Sequence, residues 1–135
     1  LRHALALGAE TGVAVQLHTE STDDLTSVGE WAEAAGLPPD QVVKHFAGGP
    51  CAGVTPSVIA RKDALEAAVA ADVPFMMETD FIDDPDRPGA VLGPKTVPRR
   101  VEWLRETGRE ETVRRAHVET PRHIYGIDTE ATLGV

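Results

Sequence analysis

One cysteine, Cys51, stands alone in 135 residues, so no internal disulfide can form and a reducing cytoplasm is the expected compartment. No apolar stretch reaches the ~18 residues that a membrane span needs, and no leader pattern precedes the first helical segment, so no membrane partner is expected. Positive charge is scarce as well. Thirteen Lys and Arg face 22 Asp and Glu, a formal net charge of −9, and the only lysines are Lys44, Lys62 and Lys95. Such a surface has no field that would gather polyanions, which excludes general nucleic-acid affinity. Carboxylates in excess, with Arg replacing Lys, predict a protein of a high-salt cytoplasm, where screening weakens their mutual repulsion.

Length is the next shortage. A closed (β/α)8 barrel takes roughly 250 residues and seldom fewer than about 200. The chain suffices for one domain spanning residues 1–135, with no internal repeat or low-complexity segment. It opens at Leu1 with no Met, which is expected of an internal portion of a longer protein.

What is present is an alternation of helix and strand. Leu1 to Glu10 reads as a helix that Gly12 ends, and Val13 to His18 as a strand with Val13, Val15 and Leu17 on one face and Ala14, Gln16 and His18 on the other. Thr22, Asp23 and Asp24 can cap a second helix, apolar at Leu25, Val28, Trp31, Ala32 and Ala35, up to Gly36. Gln41 to Phe46 is the second strand, with Val43 and His45 sharing a face. Gly48-Gly49-Pro50 then breaks the chain where a crossover helix would be expected, and Gly53 to Ala60 forms a third extended segment. A helix at Asp63 to Ala71 precedes a fourth strand, Val73 to Phe81, and a polar loop, 82–93, follows. Helices starting at Thr96 or Pro98 and spanning Glu110 to Val118 complete the pattern. The predicted class is α/β: about four parallel strands with flanking helices, about half of the eight units of a closed (β/α)8 barrel, so that either the chain is a portion of a longer one or its sheet closes in some other way.

Three strands are expected to finish in a residue that can bind a metal: His18, His45 and Asp80. Active sites of α/β barrels lie at the C-terminal ends of the strands, and two imidazoles with one carboxylate make a usual divalent-metal set. Glu78, two residues before Asp80 and on the same face, is placed to hydrogen-bond a ligand histidine.

The segments Val15-Gln16-Leu17-His18-Thr19-Glu20, Val42-Val43-Lys44-His45-Phe46-Ala47, Pro56 to Lys62, Met77-Glu78-Thr79-Asp80 and Gly93 to Arg100 resemble, in that order, motifs of the archaeal TatD-related hydrolases of the amidohydrolase superfamily. That resemblance implies that the chain is the C-terminal half of a (β/α)8 barrel enzyme with one or two divalent ions (zinc, manganese or magnesium) that hydrolyses an ester, often a phosphoester, with DNA a possible substrate. It assigns His18, His45 and Asp80 as metal ligands and Asp80 as the catalytic base for the attacking water. The family's His-x-His strand and its middle-strand glutamate have no counterpart here, so weak metal binding and little turnover are expected of this chain alone.

Lys95, in a Gly-Pro-Lys-Thr loop entering a helix, is a candidate anion contact for substrate, and Glu20, just past His18, a second candidate substrate residue; each also reads as an ordinary surface side chain. Ser57 has no Gly-x-Ser-x-Gly context and is not expected to be a nucleophile. A noncatalytic alternative is a half-barrel module that pairs with a second copy or with an N-terminal half through open sheet edges.

Overall fold

Four parallel strands lie in sequence order in the computed structural model, which describes residues 1–86, 92–128 and 130–131. They are β1 (Val15–Leu17), β2 (Val42–Ala47), β3 (Thr55–Ile59) and β4 (Met76–Glu78), each hydrogen-bonded to the next. Around them run α1 (Arg2–Thr11), α2 (Thr26–Ala35), α3 (Lys62–Ala70), α4 (Thr96–Glu106), α5 (Glu110–Arg114) and α6 (Thr120–Tyr125), with a 3-10 turn at Pro39–Gln41. The expected α/β class, with four parallel strands and flanking helices, is therefore what the chain adopts. None of its described helices is long and apolar enough to cross a membrane.

The helices stop where the letters allow a left-handed residue. Gly12 (φ 69°) and Gly36 (φ 87°) end α1 and α2, the C-cap conformation that glycine adopts without steric cost. At the start of α2 the Asp24 carboxylate accepts hydrogen bonds from the Thr26 backbone N–H (2.9 Å) and hydroxyl (2.6 Å).

Strands β1, β3 and β4 are shorter than the alternation of side chains predicts, so His18 lies just beyond β1 and Asp80 two residues beyond β4, while β2 keeps its expected length with His45 inside it. Side-chain parity follows the expected pattern as far as His45 on β2, and past the irregular pairing between Lys44 and Ala47 it switches, so that Ala47 faces the helices. Val15, Leu17 and Val42 pack against Leu5, Val28, Ala32 and Leu37 from the α1 and α2 side. Val58 and Ala47 meet Ala64, Leu65 and Ala68 of α3 together with Phe75 and Ala116. On the opposite face Ala14, Val43 and Met76 gather around Ile124 of α6.

Between β2 and β3 no helix crosses over. An extended segment runs back instead, tied to the start of α2 by Leu25 N–H to the Ala52 carbonyl (2.9 Å) and Ala52 N–H to the Asp23 carbonyl (2.8 Å). It lies so close to α2 that a Cβ on Gly29 would fall 2.3 Å from the Gly53 carbonyl oxygen. Two glycines thus permit a backbone contact that stands in for a helix.

The last helical stretch continues past Val118, where it was expected to end. A π-helical turn, Arg115–Glu119, joins α5 to α6, closed by a bond from the Thr120 N–H to the Arg115 carbonyl. Pro121 has no N–H and its ring would clash with the carbonyl four residues back, so the widened turn just before it accommodates the proline without ending the helix.

Candidate metal centre

The C-terminal ends of β2 and β4 bring His45, Glu78 and Asp80 together. Register places Ser57 opposite Met76 and Ile59 opposite Glu78, so Ser57 and Glu78 share the face that Val43 and His45 occupy on β2. Pairing of β2 with β3 is irregular between Lys44 and Ala47, and Phe46 there takes a left-handed backbone, φ 56°. Asp80 is left-handed too, at φ 49°. Non-glycine residues seldom adopt this conformation, and it concentrates at functional sites.

The local consequence is a fully engaged carboxylate. Both oxygens of Glu78 lie within reach of His45 Nδ1, at 2.9 and 3.0 Å. The twisted backbone delivers the Phe46 N–H to Oε1 at 2.9 Å, and the Ser57 hydroxyl donates to Oε2. On the other side of the ring, Nε2 faces Asp80 Oδ1 at 3.3 Å. The His18 ring stands 5.3 Å from the His45 ring, centre to centre, tilted by 42°.

These positions can be tested against a divalent ion. Ligand distances of about 2.0–2.2 Å put two donors of one ion roughly 3–3.5 Å apart, and two imidazoles on one tetrahedral ion keep their centroids roughly 5 Å apart. His45 Nε2 and Asp80 meet the first condition, and the His18–His45 pair meets the second. The donor chemistry agrees. Glu78 occupies Nδ1, so the tautomer with its N–H there offers an Nε2 lone pair beside the Asp80 carboxylate, a gap that a cation or a proton on Nε2 can bridge. The set is nonetheless incomplete: among the described residues no group of three or more His, Cys, Asp and Glu side chains is arranged to hold a metal. His18 is exposed and stands beside the fitted pair without converging on it.

Glu20 and Lys95 are both exposed, and among the described residues no hydrogen bond or ion pair joins either to the His45 group. Lys95 occupies the residue just before α4. Residues 87–91 of the polar loop lie outside the described residues.

Two side chains at the site escape sequence reasoning. Ser57 draws attention only as an unpromising nucleophile, yet it is a donor to Glu78. Lys44 is 2% exposed, and its ammonium donates to the Thr19 carbonyl (3.4 Å) and the His45 carbonyl (3.2 Å), tying the chain after β1 to the end of β2. A cation sharing the helix-facing parity of Val42 is the available signal, because a buried ammonium needs acceptors. Cys51 is buried nearby, and desolvation pushes its thiol up from the ordinary value, although the Lys44 charge pulls the other way; the thiol stays protonated and unreactive.

Among known proteins the chain is similar to uncharacterized protein MJ1127 of Methanocaldococcus jannaschii, 40% identical over 139 aligned residues. The alignment takes in 96% of this chain and 49% of that protein, so the chain spans about half the length of the curated relative it matches. No protein-family profile and no solved structure matches the chain.

Proposed function

We propose that the chain is the ligand-bearing C-terminal half of a TatD-type barrel hydrolase that uses a divalent metal, with zinc, manganese and magnesium as candidates. The carrying observation is the His45 ring, clamped at Nδ1 by Glu78 and facing Asp80 from Nε2 at 3.3 Å, where the strands end. Strand order supports a barrel: doubly wound sheets reverse order at a switch point, whereas these four strands run β1-β2-β3-β4, as barrel strands do. A relative about twice as long leaves room for the remaining units.

In this reading His18, His45 and Asp80 hold the ion, and Glu78 fixes the His45 ring. A divalent ion there would supply Lewis acidity and acidify a water. Asp80 would take the proton from that water, and Lys95 and Glu20 would contact an ester or phosphoester substrate, DNA included. Alone, the chain holds the ion weakly and turns over little substrate. Calorimetric titration of the chain with Zn²⁺ and Mn²⁺ tests the reading. Binding that is abolished in His45→Ala and in Asp80→Ala supports it; binding of equal strength in all three proteins defeats it.

A second reading rests on the sheet margins. Among the described residues the outer edges of β1 and β4 have no strand partner, and such edges invite pairing. Dimerisation that rises with protein concentration and ignores chelators would favour a noncatalytic pairing module.

A further inference from the structure

We infer that Ser57 is a positioning residue: with the Phe46 backbone N–H, its hydroxyl pins Glu78 so that His45 keeps its proton on Nδ1 and turns a bare Nε2 toward Asp80. His45 lies between two carboxylates, and a neutral imidazole has one N–H to give. Whichever carboxylate receives it decides which nitrogen is left as a donor for a metal.

Position favours Glu78. Its oxygens stand 2.9 and 3.0 Å from Nδ1, against 3.3 Å between Nε2 and Asp80. Glu78 is also the drier of the two, its side chain 13% exposed against 30% for Asp80, so water competes less for it. The two other donors to Glu78 draw charge from it, which by itself weakens it as an acceptor. They also fix its orientation from two different strands, Phe46 from β2 and Ser57 from β3. A carboxylate this buried leaves lone pairs unmet when a donor is lost, and it then turns toward another partner. Orientation therefore outweighs polarisation.

Ser57 reaches Glu78 because the register puts it one inward-facing position behind the residue paired with Glu78. Phe46 reaches it because the irregular pairing and the left-handed φ of 56° turn that N–H off the β3 ladder and onto the carboxylate. Strain at Phe46 and a hydroxyl at Ser57 thus serve one carboxylate.

The inference depends on the proposed metal chemistry only for what Nε2 then does; the tautomer belongs to the metal-free chain. Imidazole ¹⁵N–¹H correlation spectra of metal-free protein at about pH 8.5, some two units above the ordinary histidine value, read it directly. His45 is assigned by its absence from His45→Gln. Wild type should show protonated Nδ1 with bare Nε2, and Ser57→Ala a mixture of the two tautomers. Glu78→Ala should show the reversed form, because Asp80 is then the acceptor left. Ser57→Cys, nearly isosteric but a weak donor, should resemble Ser57→Ala and separates the hydroxyl from packing should the alanine variant fold poorly. Zinc affinity of the Ser57 variants should fall about 10–100-fold. Any other wild-type pattern, or a wild-type pattern in the folded Ser57 variants, overturns the inference. Absence of metal binding by wild type would sink the proposed function and leave the tautomer result standing.

Discussion

Asp80 combines a left-handed backbone, φ 49°, with a carboxylate facing His45, and substitutions can separate the two. Asparagine tolerates that backbone and keeps the volume, so Asp80→Asn should stay within about 0.5 kcal/mol of wild-type stability while losing at least tenfold in metal affinity. Asp80→Val should lose the same affinity and a further 1–3 kcal/mol or so, because a β-branched residue resists positive φ. Urea midpoints beside calorimetric titrations check both, and equal stability of the two variants would dismiss the backbone argument. His117, in the π turn, makes a pH prediction. Burial lowers its pKa below the ordinary 6.5, and Glu102, Arg105 and Glu106 of α4 line the cleft beside it. Between that lowered value and 6.5 the unfolded chain binds more protons than the folded one, so this contribution to stability is complete above 6.5 and declines as pH falls below it. Urea midpoints measured from neutral to mildly acidic pH should drop less in His117→Gln than in wild type. The positions of His45, Glu78 and Asp80 were legible because strand ends and alternation mark them. Ser57 and Lys44 were not, since their contacts depend on the stagger between neighbouring strands and on a kink at Phe46, neither of which leaves a pattern in the letters.

At the scale of elements, the segment between β2 and β3 is the unusual feature, and its contact with α2 is testable. A Cβ on Gly29 would meet the Gly53 carbonyl oxygen at 2.3 Å, and one on Gly53 would meet the Thr26 Cα at 2.5 Å with φ already at 84°. Both partners are backbone, which cannot swing aside as a side chain can. Gly29→Ala should therefore destabilise the chain by about 1–3 kcal/mol, although alanine is the better helix former by about 1 kcal/mol. Gly48→Ala is the control, as its Cβ would meet nothing within 4 Å. Urea unfolding of the two variants decides the matter, and indistinguishable midpoints would mean the segment yields. The absence of a crossover helix could be read from Gly48-Gly49-Pro50. What replaces it could not, because a glycine inside a helix looks the same in sequence whether it is merely tolerated or required by a close backbone. The length of β1 is overestimated for a related reason: alternation continues through Val13 and His18, but hydrogen-bonded pairing covers only Val15–Leu17.

Over the whole molecule, a net charge of −9 and the two sheet edges left open among the described residues act on the same observable in different ways. Self-repulsion among the carboxylates weakens the compact state, and raising salt from about 0.1 to 1 M shortens the screening length from roughly 10 to 3 Å. Salt also loosens the exposed ion pairs that Arg114 and Arg122 make near the C-terminus, but such pairs are each worth about 0–1 kcal/mol. Repulsion within so acidic a chain is the larger effect, so the melting temperature should climb with KCl. The edges complicate this, because screening also lets two copies with the same charge approach. β1 and β4 each have only three paired residues, and short edge strands offer little to a second chain, so association should remain the weaker contribution. Melting curves across a KCl series at two protein concentrations separate the causes. Screening within one chain does not depend on how many copies surround it, whereas edge pairing does. A rise that is the same at both concentrations supports the charge argument, a flat or falling curve removes it, and a rise confined to the concentrated sample assigns the stabilisation to the sheet edges.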